Sequence, residues 1–203
     1  MSTSAAVKNI GVTLALVLSV TILAGCTTTT TTPTTTPSSP AASGPVTSAP
    51  AATEISGVIR YNNPASHVEG SVTYSQTPPV GGAHNARWLN CGIYTLAVPN
   101  ENAVHDLEHG AVWVTYNPAL AESEVAKLRE LLPSTHTLMS PYAGMDSPIV
   151  ISAWNVQLKV ATASDPRLAQ FLAKYRNSAT APEPGAPCTG GVEAPGRLNS
   201  GTV

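Results

Sequence analysis

Charge is all but absent from the first quarter of this chain. Lys8 is the only charged side chain among residues 1–53, and the next is Glu54. Residues 27–53 carry neither a charge nor an aromatic ring. Thr27 to Thr32 are all threonine, and Pro33, Pro37, Pro40, Pro45 and Pro50 follow. Such a segment cannot bury enough apolar surface to offset its ordering entropy, so it is expected to stay extended and solvated. Its prolines make it a semi-stiff spacer. A folded core is therefore confined to the remainder, which has room for one modest domain.

Ahead of the spacer, residues 10–23 are almost wholly apolar, interrupted only by Gly11, Thr13, Ser19 and Thr21. A positive residue, a short apolar run and small residues after it describe a secretory signal, and the run is too short for a comfortable membrane span. It ends in Leu23-Ala24-Gly25-Cys26, a sequence that resembles the bacterial lipobox. Residues 1–25 are thus expected to be a cleaved lipoprotein signal peptide. Cys26 would carry the acyl chains, palmitate among them, that hold the protein on the outer face of the cell membrane. Several chains anchor firmly where one is marginal. An uncleaved anchor helix is the alternative, and it also leaves the rest of the chain outside the cytoplasm. The expected organisation is signal 1–25, lipidated cysteine and linker 26–54, globular domain 55–190 and disordered tail 191–203.

The balance of 10 Lys+Arg against 12 Asp+Glu, with charged residues at 11%, excludes a generic nucleic-acid binder, which needs a basic surface. Two helices are well signed. In the first, Asn117 reads as the cap and Pro118 as the first helical residue. Ala121, Val125, Leu128 and Leu132 then form one apolar stripe before Pro133. In the second, Asp165 caps, Pro166 follows, and Leu168, Phe171, Leu172 and Tyr175 form the stripe. Strands are expected at Ile93 to Val98, Ala111 to Tyr116, Thr135 to Ser140 and Ile149 to Val160. In the last, Val156, Leu158 and Val160 alternate with Gln157 and Lys159, as in a one-sided strand. The expected fold is α+β, a small, mostly antiparallel sheet with two packed helices; a partial ferredoxin-like unit is one arrangement of these elements.

With Cys26 lipidated, Cys91 and Cys188 are the remaining thiols, and outside the cytoplasm such a pair most often forms a disulfide. The chain-entropy argument values that closure at about 4 to 5 kcal/mol. Metal-binding thiolates are the alternative.

Chemistry is concentrated in His105-Asp106-Leu107-Glu108-His109-Gly110. On a helix the two imidazoles share a face and can reach one ion. On a strand they would lie about 13 Å apart and could not. Asn100 or Asn102 could cap such a helix, and Gly110 suits its left-handed end. The block also matches H-x-x-E-H, the inverted-zincin pattern, with Glu108 as general base; Glu122, Glu124 and Glu130 lie downstream as acidic candidates. A third imidazole is expected from His84, on a Pro/Gly-rich loop, and with less support from His67. Three histidines suit zinc or copper, and Met139 and Met145 would favour copper(I). The competing reading makes the histidines a structural polar network, the methionines core filler, and His136 a surface or satisfied residue.

Several blocks together resemble one bacterial family. They are His67-Val68-Glu69-Gly70, Tyr74, Pro78-Pro79, Gly81-Gly82 with His84, Cys91-Gly92 with Tyr94, Val104-His105 with Glu108 to Val112, Tyr116-Asn117-Pro118, Ser152-Ala153-Trp154, and Glu183 with Cys188. The family is the domain of unknown function three-one-zero-five, whose members are often exported or anchored. The similarity runs from about Ile55 to Cys188 and implies no activity. It marks His84, His105, Glu108 and His109 as candidate functional positions; where the family often has Ser or Thr, this chain has Gly81.

The resulting expectation is a lipid-anchored domain that binds a transition metal or small ligand through His84, His105 and His109, with Glu108 orienting one imidazole. Binding rather than turnover is expected, because no complete nucleophile–base set is legible. The membrane is the expected contact, nucleic acid is not, and no protein partner is legible. A zinc-dependent hydrolase and a purely structural or interaction lipoprotein are the alternatives.

Overall fold

A computed structural model describes residues 54–198. The expected signal peptide, Cys26, the expected linker up to residue 53 and residues 199–203 lie outside them. In chain order the elements are β1 (Ile59–Arg60), β2 (Ser66–His67), β3 (Ala83–His84), β4 (Gly92–Ile93), α1 (Asn100–Glu108), β5 (Val112–Tyr116), α2 (Glu122–Leu131), β6 (Thr137–Pro141), β7 (Ile149–Ala153), β8 (Val156–Val160) and α3 (Pro166–Tyr175). Six strands form one sheet in the order β1-β8-β7-β5-β6-β4, while β2 and β3 form a separate parallel ribbon. The sheet is mixed: β6 runs parallel to β5 and β4, and the other three pairings are antiparallel. The fold is α+β. Its βαβ unit is not split as in a ferredoxin-like fold, because β5 and β6 are direct neighbours with no strand between them.

Strand parity assigns the helices to opposite faces. Val112, Val114, Ile149, Ile151, Val156 and Leu158 pack with Val125 and Leu128 of α2 and with Leu168 and Phe171 of α3. The alternate residues Trp113 and Leu138 pack instead with Ala103, Val104 and Leu107 of α1. Because both faces are covered, β8 is not one-sided. Gln157 is buried and donates to Pro78 O and Ser152 Oγ, 3.1 and 3.0 Å away.

Local differences from the sequence reading have local causes. Residues 149–160 make a hairpin rather than one strand, turning at Asn155 with φ +59°. The Asn117-Pro118 pair does not start a helix. Asn117 Oδ1 takes the Ala119 N–H at 2.9 Å to close a turn, and α2 begins only at Glu122. Asp165 does cap α3, accepting from Arg167 N at 2.9 Å. Residues 94–98 are not a strand beyond β4, since Tyr94 bridges Arg197 and Thr95 N donates to Gly196 O. The segment 191–198, read as tail, therefore lies on this edge, with Val192 bridged to Leu89 and Ala194 buried. Cys91 and Cys188 stand at disulfide distance, Cα atoms 5.3 Å apart and 97 residues apart in sequence.

Candidate metal centre

The histidine block folds as the last turn of α1. Its cap is Pro99 rather than Asn100 or Asn102; no side chain bonds there, and Asn102 donates to Arg87 O instead. At the other end Gly110 takes φ +91°, and its N–H donates to Leu107 O at 3.1 Å. Helical spacing puts His105, Glu108 and His109 on one face while Val104 and Leu107 face Trp113. The β2/β3 ribbon meets that face, and its register sets His67 directly opposite His84.

Four side chains converge: one nitrogen each from His67, His84 and His105 and one oxygen of Glu108 lie within 4.8 Å of one another. Glu108 Oε2 is 2.9 Å from His84 Nε2, 3.3 Å from His67 Nε2 and 3.9 Å from His105 Nε2. His109 joins from the far side, its Nε2 2.8 Å from His105 Nε2, with Glu183 Oε2 at 3.7 Å. His84, His105, Glu108 and His109 are all buried, whereas the His67 side chain is 49% exposed and forms the mouth.

Three of the rings are held at their other nitrogen. Nδ1 of His84 donates to Gly82 O at 2.8 Å, that of His105 to Asn85 O at 2.7 Å, and that of His109 to Pro187 O at 2.6 Å. A backbone carbonyl on Nδ1 fixes the tautomer and presents an Nε2 lone pair, the usual arrangement around a metal-ligating histidine. With both Nδ1 atoms so engaged, the Nε2 atoms of His105 and His109 face each other lone pair to lone pair. Only a shared proton or a cation between them relieves that contact. Burial holds His105 below its ordinary pKa, and the neighbouring His109 and His84 push the same way; the Asn85 carbonyl and Glu108 oppose. Neutral imidazole is the ligating form.

Two further observations favour positive charge here. Glu108 stands at the C-terminus of α1, where the helix dipole disfavours a carboxylate and favours a cation. The donor atoms also span the right distances. Tetrahedral zinc with bonds of about 2.0–2.1 Å places its ligand atoms about 3.3 Å apart; Glu108 Oε2 lies 2.9 to 3.9 Å from three imidazole nitrogens, and the whole set of four lies within 4.8 Å.

The methionines stand elsewhere. Met139 belongs to the core on the opposite face of the sheet from α1, so it is filler rather than a copper(I) ligand here. Glu122, Glu124 and Glu130 of α2 are on that far face too, which removes the later-helix acid of an inverted zincin. His136 is half-buried and donates to Ala186 O at 3.0 Å. His67 was the weaker sequence candidate, because nothing in its neighbours announces a ribbon in register with His84. Gly82, Asn85 and Pro187 act through backbone carbonyls, which leave no side-chain signal at all.

Asp106, on the buried side of α1, has no exposed surface and neither oxygen completes a hydrogen bond. Burial drives its carboxyl well above the ordinary carboxylate range, only partly offset by the Leu89 N–H.

A family model described as protein of unknown function (DUF3105) matches residues 67–190. No curated protein and no solved structure matches the chain. The matched span takes in all four converging side chains, His109 and both domain cysteines.

Proposed function

The chain belongs to the DUF3105 family, and from that premise we propose that it is a lipid-anchored, extracytoplasmic domain that binds one divalent transition metal, zinc or copper(II). His84, His105 and His109 supply imidazole nitrogens, with Glu108 as carboxylate ligand or partner and His67 as the solvent-side ligand. Imidazole with carboxylate and no sulfur suits zinc and copper(II) better than copper(I). The observation that supports the reading is the convergence of one nitrogen each from His67, His84 and His105 with an oxygen of Glu108, all within 4.8 Å of one another. Backbone carbonyls hold His84, His105 and His109 at Nδ1, and His109 Nε2 reaches that set through His105 Nε2 at 2.8 Å. A structural network would instead pair its nitrogens with oxygens, and the 2.8 Å contact between His105 and His109 nitrogens does not. The anchor rests on Leu23-Ala24-Gly25-Cys26 and the charge-free spacer behind it.

Elemental analysis of the purified domain, beside a His105→Ala/His109→Ala double variant, tests the binding. Near-stoichiometric zinc or copper in the wild type, lost in the variant, is expected. Metal-free protein after loading with either ion overturns the reading.

A further inference from the structure

The segment that covers the C-terminus of α1 is a strap, residues 183–188, and it does three things there. Its Glu183 and Gly185 N–H groups donate to the carbonyls of Glu108 and His109, both at 3.0 Å, satisfying helix-end acceptors that have no partner within the helix. Its Pro187 carbonyl holds His109 Nδ1. Its last residue, Cys188, is joined to Cys91, where Cys91 N also donates to Cys188 O at 2.8 Å. Residues 182–185, 187, 189 and 190 are exposed, so the strap lies on the surface with only Cys188 turned in.

From this geometry we propose that the Cys91–Cys188 disulfide is a redox latch on the histidine centre: oxidation arms the site by seating Pro187 against His109, and reduction releases it. The inference rests on the metal-binding reading and adds its regulation. The step is thiol–disulfide exchange. An external disulfide accepts two electrons and two protons from the Cys91 and Cys188 thiols, leaving the protein disulfide and two thiols on the donor. An external dithiol reverses it. Fastening acts locally because Pro187 immediately precedes Cys188. Apart from the fastening, residues 183–187 are held by the Glu183 and Gly185 backbone bonds, by the contacts to His109 and by His136 donating to Ala186 O. Beyond Cys188, Trp88 Nε1 donates to Thr189 O at 3.2 Å and Val192 bridges Leu89, so reduction slackens the strap between fixed ends and lets Pro187 move off His109. Once Pro187 swings away, His109 loses the bond that sets its tautomer, a change of the kind that lowers metal affinity about 10- to 100-fold. A chain still reduced before export would hold metal weakly and would gain its affinity as the disulfide forms.

The test uses the mature chain in oxidised form, and again after phosphine reduction with the reductant removed under inert gas. Copper(II) affinity is read from quenching of Trp88, whose ring lies 5.1 Å from His109, and zinc affinity from competition with a chromogenic chelator. Amide hydrogen exchange is followed on the same samples. Expected are an at least tenfold weaker affinity after reduction, faster exchange at Glu183 and Gly185 with β5 and β7 still protected, and recovery on reoxidation. A Cys91→Ser/Cys188→Ser variant should match the reduced wild type. Equal affinities in the two redox states overturn the latch while leaving metal binding intact, and so does global loss of protection on reduction. Failure of the oxidised protein to bind either ion instead sinks the metal reading on which the latch depends.

Discussion

A metal held by this cluster must stabilise the fold, and the size of that effect is calculable. The ligands come from two separate parts of the domain, the β2/β3 ribbon with His67 and His84, and α1 with His105, Glu108 and His109. An unfolded chain does not bring these parts together, so the ion binds the native state selectively. At a free ion concentration 100 times the dissociation constant, selective binding contributes about 2.7 kcal/mol. The described residues 54–198 have an unfolding entropy of roughly 0.3 kcal/mol/K at about 2.1 cal/mol/K per residue. The quotient is a rise in Tm of about 9 °C. The assay is thermal unfolding followed by far-UV circular dichroism. Zinc is set by reference to a dissociation constant measured independently through chelator competition. The His105→Ala/His109→Ala variant, compared with its own metal-free baseline, should shift by no more than about 2 °C, since it binds far below saturation under the same conditions. An equal rise in wild type and variant would refute the reasoning, because the ion would then be acting at some other site. A wild-type rise below about 3 °C at that saturation would refute it too, by showing that the unfolded chain binds nearly as well.

Four smaller effects follow from the same geometry. His84→Ala should weaken zinc binding much more than His67→Ala, because His84 is buried and braced by Gly82 O while His67 is half-exposed and contacts only Glu108 among the described hydrogen bonds; chelator competition ranks them. Asp165→Ala should cost about 1 kcal/mol in urea denaturation through loss of the α3 cap. For Asp106, a carboxyl raised by burial favours the fold fully below the unfolded pKa of 3.8 and loses that contribution as pH rises toward the folded value; metal-free Asp106→Asn, measured by urea unfolding between pH 4 and 8, should lack this falling limb, and an unchanged pH profile would contradict it. Cys26→Ser should move the protein from the detergent phase to the aqueous phase on Triton X-114 partition, whereas retention in the detergent phase would point to the uncleaved helix as anchor.

What could be read from the sequence divides along a physical line. Local signals were legible wherever one side chain or one periodicity settles the outcome. Asp165-Pro166 starts α3, the apolar stripes of α2 and α3 face the core, Gly110 ends α1, and Cys91 lies against Cys188. Signals decided by tertiary competition were not. Asn117 had two uses for its side chain, and the turn took it. Residues 94–98 had strand composition, yet they pair with the C-terminal segment rather than extend β4. The site shows the same division. His105, Glu108 and His109 were legible as a set because helical spacing alone brings them together. His67 was not, because its place depends on a two-residue ribbon whose register no sequence period encodes.

That division bears on how the centre is built. The residues with legible chemistry, His84, His105 and His109, would be ordinary buried histidines without the carbonyls of Gly82, Asn85 and Pro187. Those carbonyls come from a glycine-rich turn, the loop after β3 and the strap, none of them part of α1. A hydrogen-bonded Nδ1 costs each ring half its donor and acceptor capacity and leaves the other half aimed inward. If buried histidines served only the fold, their second nitrogens would each have an oxygen to meet. His84 has Glu108, but His105 and His109 have chiefly each other, at 2.8 Å. That contact is met by a proton shared between the two nitrogens or by a cation beside them, and the proposed centre takes the second course. The disagreement between local rule and observed geometry falls where function is expected to leave its mark.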